Sequence, residues 1–484
     1  MSTIAQGHPS TRAQCLIDAG LKDSILLPSN DAYAKRIDSY FCNSAKLNPA
    51  CIFQPKSALQ VATAVKALAA SKQKFAIRSG GHMNWTGCNN IGDTGITIDL
   101  GLLNQTQFDG VTETAEIGSG ARWGEVYSEL EKHGRVVAGA REPQVGVGGF
   151  LLGGGNTFYG PQYGLGCDTV VAFEVVLADG NIIVATKDEY SDLFQVLKGG
   201  GNNFGIVTKF TMTTLPSTKL WGGFVISPPS VVPRVPEVIT NFTANSSKHL
   251  DSTLNLVVCH NPRAGGDAVL TLCTSVEPAE TSAFSGVTAL EQQFNNLKES
   301  TLSELIAYAS LPTNYYNVWN TLTIKSDATI IAKAIDLYNA MEEQVKQIVD
   351  GGDYTSHIAL QPIPKLYYTE KSGAIRSNIL GMDRFGHDAI LIQAAISVRT
   401  QDLANMARPL VHNMILELRE FAESQPDGLC PWLHLNWASP EQKVLQSYGV
   451  ENLEKMRSAA KKYDPGEVFQ RLCPGGFKIV DAED

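Results

Sequence analysis

The chain is poor in charge, and it lacks the common motifs of metal, nucleotide and serine-hydrolase chemistry. Only 18% of its 484 residues are charged, and the balance is acidic, with 39 Lys plus Arg against 49 Asp plus Glu. A formal net charge of −10 argues against nucleic acid and anionic membrane as partners. No apolar run approaches the roughly 20 residues of a membrane span. Met1 to Gly20 has neither a basic n-region nor an apolar h-region, so it does not read as an intact signal peptide. The compartment stays open, cytoplasmic or secreted. The nine cysteines (15, 42, 51, 88, 167, 259, 273, 430 and 473) form no Cys-x-x-Cys pair, which leaves zinc and thioredoxin-like chemistry unsupported. No metal site is expected. G-x-x-x-x-G-K-[ST], G-x-S-x-G, H-E-x-x-H and EF-hand patterns are absent. A Rossmann fingerprint counted from Gly146 fails because Leu151 stands at its third glycine position.

What the chain does have is glycine, 43 residues of it, concentrated in runs. Arg78-Ser79-Gly80-Gly81-His82 lies between a helix-like segment, Ala58 to Ser71 with Ser57 as N-cap, and a strand at Ile96 to Leu100. Leu59, Ala62, Val65 and Ala69 are expected on one buried face of that helix. Adjacent glycines let backbone approach a bound group closely, and an imidazole directly after them can be held against it. A second run spans Val145 to Gly155, and a third reads Gly200-Gly201-Asn202-Asn203-Phe204-Gly205-Ile206-Val207. Exposed N–H groups in such loops form anion-binding nests; tight strand–helix packing is the structural alternative.

Around these runs the pattern is mixed, with strands at Phe75–Ile77, Thr169–Ala178 and Ile206–Met212 and helices at Trp123–Lys132 and Phe194–Leu197. A Pro-rich stretch, Pro228 to Pro236, marks a boundary. Beyond it, strands at Thr253–Val258, Ile358–Leu360 and Ala389–Val398 alternate with helices at Ala289–Lys298, Ala328–Val349 and Ala404–Glu420. That alternation reads as an antiparallel sheet backed by helices. On the strand around Gln361, the residues His357, Ala359 and Gln361 share one face, with Asn255 and Gln393 as comparable polar positions on neighbouring strands. They line either a cavity or a solvated sheet edge. Four N-x-[ST] sequons occur, at Asn84, Asn104, Asn241 and Asn245.

The three glycine runs, together with His434-Leu435-Asn436-Trp437 and Asp464-Pro465 near the C-terminus, resemble the vanillyl-alcohol-oxidase and berberine-bridge-enzyme flavoproteins. The resemblance is specific over 45–216 and 430–475 and weak over 217–429. It implies an α+β, two-domain fold with a split PCMH-type FAD-binding domain (1–216 and 430–484) around a substrate domain (217–429). It implies covalent FAD through His82. FAD contacts are then expected at Arg78, Ser79, Gly80, Gly81, Gln144, Val145, Gly148, Gly149, Gly154, Gly155, Asp168, Gly205, Ile206, Val207 and Asn436. Doubly linked members carry a cysteine where this chain has Glu142, so a single link is implied. Glu142 becomes either a polar group near the ring or a surface partner of Arg141. Val145, at a position where small side chains leave room for oxygen, favours an oxidase.

The tyrosine often used as base in this family is His434 here. His434 is therefore a candidate base with an ionisation expected between roughly pH 5.5 and 7.5, or else a structural histidine. Glu142 and Gln361 complete the candidate catalytic group. The resemblance also implies a Cys15–Cys88 disulfide. The implied activity is hydride removal from a small organic substrate, such as a secondary-metabolite intermediate, with reoxidation by O2 to H2O2. A non-redox cyclase or pericyclase, an oligosaccharide oxidase, and a binding protein without turnover are the alternatives.

Overall fold

The computed structural model describes residues 9–482 apart from 218, 263–264, 350 and 369–377. Near the N-terminus four strands form a sheet in the order Ile25–Leu26, Cys51–Phe53, Ile96–Asp99, Phe75–Arg78, whose three later members run parallel. The Ala58–Ala70 helix supplies the crossover between two of them. Ser57 caps it, its hydroxyl accepting from Gln60 N. The buried stripe is Val61, Ala62, Ala64, Val65 and Leu68, whereas Leu59 is 69% exposed. The expected face is thus rotated: the helix packs on the Pro9–Asp18 helix and on the strands Val170–Val176 and Ile182–Thr186, which leaves Leu59 in solvent.

A second, antiparallel sheet follows in the order Thr106–Asp109, Thr114–Gly118, Ile206–Thr213, Val170–Val176, Ile182–Thr186. The third sheet has nine strands between Leu220 and Cys430. Its centre is Ser252–Asn261, Thr355–Ile363 and Ala389–Val398, all antiparallel. Side chains alternate across it. Leu254, Leu256, Ile358, Leu360, Ile392 and Ile396 bury against the helices Val235–Ala244, Ala328–Ile348 and Gln401–Glu423. Asn255, His357, Gln361 and Gln393 face the opposite way, into a cavity. Because the Thr355–Ile363 strand is paired on both sides, the sheet-edge reading of His357 and Gln361 does not hold.

Two sequence expectations fail here, and three strands go unread. Ala289–Lys298 is not a helix: a turn leads into Phe294–Asn295 and Lys298–Ser300, which pair with Leu220–Ser227. The reason is tertiary, since Asn296 Oδ1 accepts from Phe224 N at 2.6 Å and fastens this segment to the Leu220–Ser227 strand. The strands Leu220–Ser227, Gly266–Ser275 and Tyr316–Lys325 carry Gly, Thr and Asn enough to hide their period. Finally, Cys15 and Cys88 are both free thiols. Cys15 lies near Cys51, while Cys88 lies near Cys473 and Lys478, burial pushing its thiol up to about 12.

After Leu429–Cys430 joins the large sheet, the chain returns to the glycine runs. The Val450–Tyr463 helix then packs on Ser191–Leu197, and Asp464 accepts from Val468 N and Phe469 N to turn the chain again.

The first glycine run is anchored by charge. Asp99, fully buried at the end of its strand, accepts from Arg36 Nε and Nη2 at 2.7 and 2.8 Å and from Gly101 N at 2.9 Å. Arg78, 1% exposed, lies 3.8 Å from the same carboxylate and 3.7 Å over the Tyr40 ring. Asp99→Ala strands a buried guanidinium and is expected to cost about 3–5 kcal/mol. Thermal unfolding followed by circular dichroism checks this, and a melt within a degree of the wild type contradicts it. The exposed Lys219–Glu299 pair serves as a control, with an expected loss of about 0–1 kcal/mol.

Candidate active site between the glycine runs and the large sheet

The first two glycine runs meet backbone to backbone. A Cβ on Gly80 would stand 2.5 Å from Gly146 Cα, and one on Gly146 would stand 2.3 Å from Gly80 N. Ser79 fastens the contact, its hydroxyl donating to Ser119 O at 2.6 Å and accepting from Gly148 N at 3.1 Å. Arg122 donates to Gly80 O at 2.9 Å and to Gln144 O. From the C-terminal segment, Asn436 Nδ2 donates to Gly149 O at 2.9 Å and Asn436 Oδ1 accepts from Gly155 N at 3.2 Å. These bonds form one wall of a cavity of about 630 Å³, and the polar face of the large sheet forms the opposite wall.

Two polar groups stand out on these walls. His82 follows the Gly81 turn (φ +68°) and stacks on Phe41 with ring centroids 4.0 Å apart and planes within 10°. Its Nε2 is 3.4 Å from Glu142 Oε2, and neither atom has a hydrogen-bond partner. The other group gathers around Arg141. Its Nη2 donates to Gln361 Oε1, which also accepts from Asn156 Nδ2 at 3.0 Å. His434 is fully buried at the turn before Leu435–Trp437, and its Nδ1 has no partner. Burial first, and then the Arg141 charge, hold its imidazole down at about 3. The expected ionisation between pH 5.5 and 7.5 is therefore corrected: His434 is neutral throughout that range. His357 is lowered by burial as well and shares a 3.3 Å contact with Gln393 Oε1.

Most residues singled out from the sequence line this cavity: Ser79, Gly80, Gly81, His82, Glu142, Val145, Gly148, Gly149, Gly205, Ile206, Val207, Gln361, His434 and Asn436. Five do not. Arg78 turns away to donate to Arg36 O and Ser39 Oγ. Gln144 is exposed and lines an outer groove with Arg122. Gly154 packs on Leu380, and Gly155 serves Asn436 from behind the wall. Asp168 is buried, accepting from Leu165 N and from Asn378 Nδ2. Glu142 pairs with His82, so the alternative of a surface bridge to Arg141 falls away. The sequence reading passed over Phe41, Asn156 and Trp319, and it took Arg141 only as a surface partner of Glu142. Nothing in their spacing marks them; only the Arg141–Glu142 adjacency hinted that one of the two would face inward.

The walls fit a flavin. A Cβ at Gly149 would meet nothing within 4 Å, so the glycine run leaves open backbone there. His82 Nε2, Glu142 Oε2, Asn255 Oδ1, Asn317 Nδ2 and His434 Nδ1 are buried polar atoms without partners on residues that line the cavity. Buried polar groups ordinarily find partners, so this pattern calls for a bound polar molecule.

Residues 49–186 match the FAD binding domain family. The FAD-dependent monooxygenase drtC of Aspergillus calidoustus is 36% identical over 478 residues, covering 96% of this chain and 90% of the relative. Among solved structures, 6-hydroxy-D-nicotine oxidase from Arthrobacter nicotinovorans superposes with a TM-score of 0.77 at 20% identity, covering 92% of this chain and 96% of that one. Glucooligosaccharide oxidase from Acremonium strictum, described with a 6-S-cysteinyl, 8α-N1-histidyl FAD, gives 0.74 at 19% identity, covering 94% and 97%. The fold is thus the PCMH-type FAD-binding fold of two-domain flavoenzymes, FAD is the cofactor, and the chain belongs to the family of fungal FAD-dependent monooxygenases and oxidases.

Proposed function

We propose that the chain oxidises a small organic molecule, a secondary-metabolite intermediate, by hydride removal, with O2 as final acceptor and H2O2 as product. In this reading residues 1–216 and 430–484 hold the cofactor, 217–429 hold the substrate, and His82 alone carries the covalent link. The observation that carries it is the placement of an unpartnered His82 Nε2 beside Glu142 on one wall of the cavity, with Arg141, Gln361 and His434 also lining it. When bound, FAD accepts the substrate hydride and passes the electrons on to oxygen.

The chain's own residues do the rest. Phe41 holds the His82 ring by stacking, and the Glu142 carboxylate can take an imidazole proton. Glu142 in the place of a cysteine leaves no thiolate for a second bond. Val145 keeps the cavity wall beside the glycine run small. His434, neutral and buried, presents an open Nδ1 lone pair or N–H. As a weak base it removes a substrate proton effectively only where the negative charge left behind is stabilised, and the Arg141 cation supplies that stabilisation.

Acid precipitation tests the covalent claim: yellow colour is expected in the wild-type pellet and in the supernatant of His82→Ala. A colourless wild-type pellet overturns the link. Anaerobic mixing with substrate is expected to bleach the flavin; turnover without bleaching would instead favour the cyclase alternative.

For His434 the expected kcat/KM profile has no limb between pH 5.5 and 7.5 from this residue, because the free enzyme already holds it neutral. His434→Gln is expected to slow flavin reduction by about 10²–10⁴ with the oxidised spectrum unchanged. A folded, flavin-loaded variant that reduces at the wild-type rate assigns proton transfer elsewhere. A limb near pH 6.5 that disappears in the variant contradicts the depressed imidazole.

A further inference from the structure

We propose that Arg141 is the specificity-determining residue of this site and selects substrates bearing an anionic oxygen, either a carboxylate or an acidic enol or phenol. The inference rests on the reading of the cavity as the substrate site. Its basis is a cation that no carboxylate among the described residues neutralises. The guanidinium offers five N–H donors in a fixed fork, and among the described residues the side chain that accepts from it is the neutral amide oxygen of Gln361. The adjacent Glu142, the single carboxylate among the described residues of the cavity wall, is turned to His82.

Arg141 is half-buried at the cavity wall, its Cζ 6.0 Å over the centre of the Phe158 ring and the neutral phenols of Tyr127 and Tyr367 nearby. Burial brings the guanidinium down to about 10, so it stays charged at neutral pH. A partly desolvated cation that faces no anion costs stability, and a ligand that supplies the anion recovers that cost as affinity.

Arg141 lines the cavity, and Gln361 Oε1, which accepts from it, also accepts from Asn156 Nδ2 and so is held in place from two sides. His434 lies close enough for the Arg141 charge to weaken it. An anion docked on Arg141 offsets that charge and so removes the smaller of the two causes that lower the imidazole, while burial, the larger one, stays. Recognition and proton removal are thereby coupled through one contact.

Isothermal titration of the holoenzyme with benzoate and with its neutral isostere benzamide tests the proposal. The wild type is expected to bind benzoate about 10–100-fold more tightly. Arg141→Gln is expected to abolish the preference by weakening benzoate, with benzamide nearly unchanged, and Arg141→Lys is expected to keep part of it. Equal affinities in the wild type, no benzoate binding at its solubility limit, or an intact preference in a folded Arg141→Gln variant each overturns the proposal. Should Arg141→Gln fail to fold, the wild-type comparison and Arg141→Lys still decide. The visible spectrum of the same sample reports flavin, so loss of the cofactor reading is distinguished from loss of the anion preference.

Discussion

Everything at this site depends on two stretches of backbone touching. Gly80 and Gly146 approach so closely that a single methyl on either would overlap the other's main chain. That contact brings the His82 turn and the Val145–Leu152 segment onto one wall, and Ser79, Arg122 and Asn436 hold it there through hydrogen bonds to the glycine backbone. Side-chain packing is secondary here. The glycines carry no interaction energy of their own; they permit a geometry that other residues stabilise.

Charge is then distributed around that wall with little redundancy. Arg36, Asp99 and Arg78 form a group behind it, so Arg78, although it opens the first glycine motif, directs Nη1 and Nη2 to Arg36 O and Ser39 Oγ. In front of it, Glu142 and His82 face each other, while Arg141 is left with a neutral partner. The same residue types thus serve opposite purposes: paired charges fix the scaffold, and the unpaired one faces the space where chemistry takes place.

The sequence made the glycine runs legible because glycine clusters have few other uses, and it made the polar face of the Thr355–Ile363 strand legible because alternation has a strict period of two. Both readings placed residues on the cavity wall. It was misleading where a cross-strand bond overrode pattern, as at Asn296, while Arg78, Gln144 and Asp168, expected beside the cofactor, stand outside the cavity lining. It was silent on Arg141, since whether an arginine next to a glutamate pairs with it or turns inward is decided by residues more than two hundred positions away, Gln361 among them. The His434 environment was equally out of reach, because desolvation is a property of packing and not of neighbours in the chain.

The central claim is that this cavity holds FAD and that His82 is its one point of attachment. Mass spectrometry of tryptic fragments addresses it directly, because cleavage after Arg78 and Arg122 releases 79–122 as one peptide containing His82 and no other histidine. The account predicts that this peptide carries the mass of one flavin, with fragment ions placing it on His82. An unmodified 79–122 peptide from flavin-loaded protein, or flavin on any other residue, would contradict it.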